Sequence, residues 1–156
     1  MRVFKAPAQV DQSENNIKLF LAGSIDMGSA VDWQTKVTEA LSNLPVDIMN
    51  PRREDWDSSW EQSITNHKFV EQVVWELNHL RIADVMCFYF DPNGPAPITL
   101  LELGLFIDGD IIVCCPEGYF RKGNVDIVCG HYGIPQVDTL EDMIEWLKCR
   151  IEEDYE

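Results

Sequence analysis

Glu102 stands in the segment Pro97-Ile98-Thr99-Leu100-Leu101-Glu102-Leu103-Gly104, after an apolar run containing Val85, Phe88 and Phe90 and a cluster of Pro, Gly and Asn. That order reads as strand, loop and helix. Such a junction lies at the carboxyl end of a parallel strand, where open α/β sheets bind ligands in the crevice left by diverging loops. Ile98, Leu101 and Leu105 fall about a turn apart, which leaves Glu102 in the first turns of the helix beside that crevice. A carboxylate held in a cleft can attack an electrophilic carbon or act as a general base. A lone glutamate near a helix start also serves as a dipole or capping partner. On this reading Glu76, Asp84 and Asp91 lie near the same sheet edge, and two carboxyl groups in different environments can divide the nucleophile and acid roles of glycosidic-bond cleavage.

Other residue types offer narrower chemistry. Gly23-Ser24 follows the first apolar run and could bring backbone N–H groups and a hydroxyl to an anionic or sugar-hydroxyl group, or could simply form a tight turn. Neither the G-x-G-x-x-G fingerprint nor the P-loop lysine is present. Arg52 and Arg53 share a long loop with Trp56 and Trp60. Paired guanidinium groups suit phosphate, and loop indoles can stack on a planar ligand. His67, His79 and His131 have no metal-ligand spacing, so no metal is assigned, and no organic cofactor is implied.

Stepping outward to the elements, Ile17 to Ala22 reads as the first strand and Gly23 to Ser29 as a small-residue loop. Ser29 or Asp32 can cap a helix with Trp33, Val37, Ala40, Leu41 and Leu44 at helical spacing. A short strand over 46–49 follows, then a helix over 61–82 with Ile64, Phe69, Val73, Val74, Leu77 and Leu80 on its apolar side. Further strands are expected up to Phe90, at 111–115 and at the edge over 134–137, with a short helix over 124–131. Thr139 caps a final helix through Leu140, Met143, Ile144, Leu147 and Ile151. The expected architecture is α/β: residues 1–16 as a flexible N-terminal arm, and 17–156 as one domain with a mostly parallel five-stranded sheet covered by helices on both faces.

Bulk composition excludes several classes. The 156 residues suffice for one domain, and 46% hydrophobic with 25% charged residues is ordinary for a globular chain. A formal charge of -15 repels nucleic acid polymers and anionic lipid. The acidic run Glu141, Asp142, Glu145, Glu152, Glu153, Asp154 and Glu156 reads as a solvated helix face and tail. Five cysteines without a C-x-x-C pair suggest neither a disulfide framework nor a zinc site, so a reducing cytoplasmic setting is expected. No stretch approaches a membrane span, and the start of the chain lacks a signal-like apolar region.

Four segments together, Phe20-Leu21-Ala22-Gly23-Ser24-Ile25, Asn50-Pro51-Arg52-Arg53, Trp75-Glu76 through Ala83-Asp84, and Pro97-Ile98-Thr99 through Glu102-Leu103-Gly104, resemble the nucleoside 2-deoxyribosyltransferase-like family over about residues 17 to 140. The resemblance implies a flavodoxin-like fold and cleavage of the N-glycosidic bond of a 2'-deoxynucleoside, with transfer of the sugar to a free nucleobase. It casts Glu102 as the nucleophile that forms a covalent deoxyribosyl ester, and Glu76 as the residue handling the base and its proton. It places Gly23, Ser24, Ile25, Asp26, Arg52, Arg53, Asp84 and Thr99 in the substrate-binding set. Asn124 matches an asparagine that a neighbouring subunit lends to the sugar 5'-hydroxyl, which implies a homo-oligomer with a shared active site. Three positions depart from the pattern: Glu76 stands where transferases carry an aspartate, Ala96 where relatives carry an aspartate or serine, and Asp26 where a nucleotide hydrolase carries an arginine. The acidic Asp26 favours a free nucleoside over its monophosphate. The alternatives are hydrolysis of deoxynucleoside monophosphates or NAD-like nucleotides, for which Arg52 and Arg53 speak, and a silent nucleoside-binding module.

Overall fold

A computed structural model describes residues 1–11, 13–26 and 30–155 of the chain. The alternative cap Ser29 and the terminal acid Glu156 lie outside the described residues. Among the described residues eleven elements follow one another: β1 (Arg2–Lys5), β2 (Ile17–Gly23), α1 (Trp33–Ala40), β3 (Val46–Asn50), α2 (His67–Ile82), β4 (Val85–Tyr89), α3 (Pro97–Leu105), β5 (Ile111–Cys114), α4 (Lys122–Tyr132), β6 (Gln136–Val137) and α5 (Leu140–Glu153). The strands form one sheet in the order β1-β3-β2-β4-β5-β6 with every pairing parallel. Without β1 this is the flavodoxin-like order, in which the chain winds outward from β2 to β3 and then reverses to β4. The switch point, and hence the expected crevice, lies beyond the carboxyl ends of β2 and β4.

Strand periodicity sorts the core into two layers. Phe20, Ala22, Met86, Phe88 and Val113 face Trp75 and Leu80 of α2, Leu103 of α3 and Val125 and Cys129 of α4. Leu19, Leu21, Val85, Cys87 and Ile112 face Trp33 and Val37 of α1 and Met143, Leu147 and Ile151 of α5. Each large apolar side chain removed from water here contributes roughly 1.5–3 kcal/mol before entropy is counted. Asp32 caps α1, its carboxylate accepting from the Thr35 N–H at 3.2 Å, and Thr139 caps α5, accepting from Asp142 N–H at 3.1 Å.

Two expectations change. The sheet has six strands because Arg2–Lys5, read as part of a loose arm, pairs in register with Asp47–Asn50. The reason is polar and long-range in sequence: the Arg2 guanidinium donates to the fully buried Asp47 carboxylate at 2.9 Å, which also accepts from Asn16 at 3.0 Å. Trp75 Nε1 then donates to the Ala8 carbonyl at 2.8 Å, carrying the segment after β1 over α2. The second change is the start of α2, expected at Glu61 and found at His67. Asn66 accepts from the N–H groups of Lys68 and Phe69 and fixes the boundary there, leaving Ile64 almost fully exposed. No helix among the described residues is long and apolar enough to cross a membrane. All five cysteines are unpaired, and only Cys149 is exposed.

Candidate active site

α2 and α3 lie on the same face of the sheet, and each turns polar side chains inward. α3 begins at Ala96, a non-glycine residue in the left-handed region (φ 42°), with Pro97 supplying a fixed φ at the first helical position. From that start Thr99, Glu102 and Leu103 face the interior. Ile98, Leu101 and Leu105, which recur about a turn apart, are each more than half exposed. The helix is thus inverted relative to hydrophobic expectation: its aliphatic stripe faces out and its carboxyl group faces in.

α2 shows the same inversion in part. Gln72, Trp75, His79 and Leu80 are buried, while Val73 and Val74 are exposed. Gln72 precedes Glu76 by four residues, so the two share a helix face. Gln72 Nε2 donates to Glu76 Oε1 at 2.6 Å and to the Pro51 carbonyl at 2.8 Å.

Glu76 and Glu102 meet between the two helices, close enough to share a hydrogen bond. Glu102 is 7% exposed and Glu76 half-buried. Burial first, then the charge and hydrogen bond of Glu76, push the Glu102 carboxyl up to about 9. Burial also raises Glu76, against the hydrogen bonds from Gln72 and Glu102 that favour its anion. No cation among the described residues pairs with either group. The arrangement therefore stores one proton between two carboxyl groups at neutral pH, because neighbouring carboxylates in a poorly solvated site cannot both ionise. Such a pair can supply a proton to a leaving group and expose a nucleophilic oxygen in the same event.

The remaining sequence candidates are distributed around the carboxyl edge, with one exception. Gly23 ends β2 where a Cβ would come within 2.5 Å of the Tyr89 carbonyl oxygen and 2.6 Å of the Trp33 ring, so only glycine fits. Ser24 is buried: its N–H donates to Tyr89 O at 3.0 Å and its hydroxyl accepts from Asp91 N–H at 2.9 Å. These contacts tie β2 to β4 at the switch point. Ile25 is half-buried, and Asp26, also in the left-handed region (φ 47°), accepts from the Ala96 N–H at 3.4 Å. Burial and the neighbouring Asp91 hold the Asp26 carboxyl above the usual range, with the Ala96 N–H opposing. Thr99 is buried one turn before Glu102 on the same face of α3. Asn124 lies exposed in the first turn of α4.

The arginines are engaged within the chain. Arg53, with a 1% exposed side chain, pairs with Asp55 at 2.8 Å and Glu71 at 3.0 Å and stacks over Trp60 at 5.4 Å. Arg52 donates to Gln34 Oε1 and to the carbonyls of Ala30 and Val31, and lies 3.6 Å from Asp32. Both brace the loops around the site. Asp84 is the exception: it precedes β4, at the opposite end of the strand from the switch point, and its carboxylate accepts from the Lys18 N–H at 2.8 Å. A carboxylate one residue before a strand belongs to the amino edge of the sheet, so Asp84 does not join Glu76 and Glu102. Asp91 does lie at the carboxyl edge, where it accepts from Asn93 N–H at 2.8 Å and shapes the turn. Sequence reading missed Gln72, for which the only signal is its four-residue spacing from Glu76. Among the described residues no group of three or more His, Cys, Asp or Glu converges as metal ligands would.

The family model described as nucleoside 2-deoxyribosyltransferase like matches residues 16–119. No curated protein matches the chain. A crystal structure of a conserved protein from Enterococcus faecalis V583 superposes with a TM-score of 0.61 at 15% identity, covering 86% of this chain and 99% of that one, and shares its fold.

Proposed function

Because this chain belongs to the nucleoside 2-deoxyribosyltransferase-like family, we propose that it cleaves the N-glycosidic bond of a 2'-deoxynucleoside through a covalent deoxyribosyl ester on Glu102 and passes the sugar to a second nucleobase. The observation that carries this reading is the hydrogen-bonded pair Glu76 and Glu102, buried on the helices that follow β3 and β4 and flank the switch point. A nucleobase leaves well only when protonated, and the anomeric carbon needs a nucleophile on its other side; one shared proton meets both needs. Glu76, the half-buried member, handles the base and its proton. Glu102 attacks the anomeric carbon, and return of the sugar to a different base gives net retention by two displacements.

In this reading the β2 loop, Gly23 to Asp26, and Thr99 border the sugar. Arg52 and Arg53 act by holding the loops, since their guanidinium groups are already engaged, and this removes the feature that favoured a phosphorylated substrate. Asn124 is the residue we assign to a neighbouring copy's sugar site. The exposed Ile98, Leu101 and Leu105 on α3, with Val73 and Val74 on α2, supply an apolar surface for that copy, so the working unit is a homo-oligomer. Five unpaired thiols suit a reducing, cytoplasmic setting.

The direct test mixes the protein with a deoxynucleoside and a different free base and follows the products by chromatography. The proposal expects the exchanged nucleoside. Release of free deoxyribose without exchange would make the protein a hydrolase, and binding without consumption would make it a silent module.

A further inference from the structure

We propose that Gln72 is a positioning residue that fixes the negative charge of the carboxyl pair on Glu76 and keeps the shared proton on Glu102 until a bound nucleobase draws it away. The inference rests on the reaction proposed above for what happens next, but its first half concerns the free protein alone.

The geometry determines the direction of each hydrogen bond. The Pro51 carbonyl can only accept, so the Gln72 nitrogen, 2.8 Å away, must face it. The same nitrogen has one further hydrogen, and it lies 2.6 Å from Glu76 Oε1. Gln72 therefore presents Glu76 with a donor and cannot present an acceptor without losing Pro51. Its oxygen is left buried and without a hydrogen-bond partner, so the orientation costs a desolvated acceptor and is maintained by the two donated bonds. At 6% exposure the amide has little room to reorient. A carboxyl group receiving an N–H bond is the better place for the charge. Its other interaction, the hydrogen bond from Glu102, then requires the proton to reside there.

Few other groups compete. From α2 the pair is faced by Gln72, which the Pro51 carbonyl of the loop after β3 holds in place, and α3 contributes Glu102 itself. Arg53, two residues beyond Pro51, is held by Asp55 and Glu71. His79, one turn further along α2, binds the Trp75 carbonyl, and burial lowers its imidazole below the usual range against that hydrogen bond.

The consequence is a nucleophile that is inactive while the site is empty. On binding, Glu76 accepts the proton of Glu102, the pair's single proton, and passes it to a ring nitrogen of the base, which leaves both carboxyl groups ionised. A Glu102 oxygen lone pair then forms the bond to the anomeric carbon. The electron pair of the broken C–N bond remains on the protonated base, which leaves neutral. Deglycosylation by a second base runs these transfers backward.

The test is an infrared titration of the intact chain labelled with isotopic glutamate, comparing wild type with Gln72→Met, which keeps the length and removes the donor. Gln72 stabilises the Glu76 anion equally in the singly and doubly ionised pair. Its loss should therefore raise the lower of the two ionisation steps by about one pH unit and leave the upper step in place. The acid limb of the pH profile for single-turnover glycosylation should move by the same amount. Unmoved steps, or a uniform loss of rate at every pH, would mean that Gln72 only packs, and would overturn the proposal. Should Gln72→Met not fold, Gln72→Leu also removes the donor without adding an ionisable group and should raise the lower step by about one pH unit; an unmoved step there overturns it equally. Since the titration needs no substrate, shifted steps without any glycosylation would leave this inference standing and remove the functional reading instead.

Discussion

A carboxyl group driven up by burial weakens the fold that buries it. Glu102 binds its proton in the folded chain up to about pH 9 but releases it near the ordinary glutamate value when unfolded. Between those values the folded state holds more protons, so stability declines as pH rises from about 5 to 9. Glu102→Gln removes the ionisable group and keeps a hydrogen-bonding partner for Glu76. It should raise stability at pH 8 by on the order of 2 kcal/mol relative to wild type, with little change at pH 5, measured by urea unfolding at both pH values. Under the proposed reaction the same variant should lose at least about a thousandfold in base exchange, because that reaction forms its ester on a Glu102 oxygen. Glu76→Gln should keep Glu102 in place but slow glycosylation by roughly a hundredfold or more, since the base then leaves without its proton. Equal stability of wild type and Glu102→Gln across the pH range would mean the pair is not buried as described.

At the scale of elements, the junction of β2, β4 and α3 is where backbone geometry is most constrained. Gly23 admits no side chain between the Tyr89 backbone and the Trp33 ring. Gly23→Ala should cost about 2 kcal/mol by forcing the ends of β2 and β4 apart, seen as a lowered unfolding midpoint, with substrate turnover falling in parallel. A midpoint within half a degree of wild type would contradict the close approach. The same junction shows what sequence could and could not supply. Strand, loop and helix around Glu102 were legible, because an apolar run, a Pro/Gly cluster and a Pro at a helix start are local signals. Which face of α3 turns inward was not, because Ile98, Leu101 and Leu105 fit an apolar core stripe as well as Thr99, Glu102 and Leu103 fit a site. Only packing against the sheet, at β2 and β4, decides, and it decides for the carboxylate. The start of α2 was misjudged for a related reason: Ile64 looks like a helix-face residue, whereas the Asn66 side chain caps the backbone after it.

For the whole molecule, the alternation of strands and helices from β2 onward and the parallel sheet were legible in periodicity, and the flavodoxin-like order was implied by the family resemblance, whereas the edge strand β1 depends on a distant ion pair. Arg2 and Asp47 are 45 residues apart, and nothing around Arg2 announces that Asp47 is buried. Burial opposes the ionisation of Asp47, but hydrogen bonds from Arg2 and Asn16 outweigh it and hold the carboxyl below its usual range. A group with a depressed folded value stabilises above its unfolded value and loses that contribution as pH falls through the folded one. Arg2→Met should therefore lower the thermal midpoint at pH 7 and leave the difference much smaller in strong acid. The exposed aliphatic face of α3 makes a separate demand. Leu101→Glu combined with Ile98→Glu should shift the sedimentation coefficient from an oligomer to a monomer while leaving the unfolding midpoint of the chain close to wild type, since neither side chain is part of the single-chain core. A wild type that sediments as a monomer at micromolar concentration would contradict the shared site.

The most direct measurement is the intact mass of the protein after brief incubation with a deoxynucleoside, taken beside Glu102→Ala. An added mass of one deoxyribosyl group on wild type, absent from the variant, is the predicted result. The same adduct on Glu102→Ala, or turnover of the nucleoside with no adduct on wild type at any time, would contradict the covalent role of Glu102.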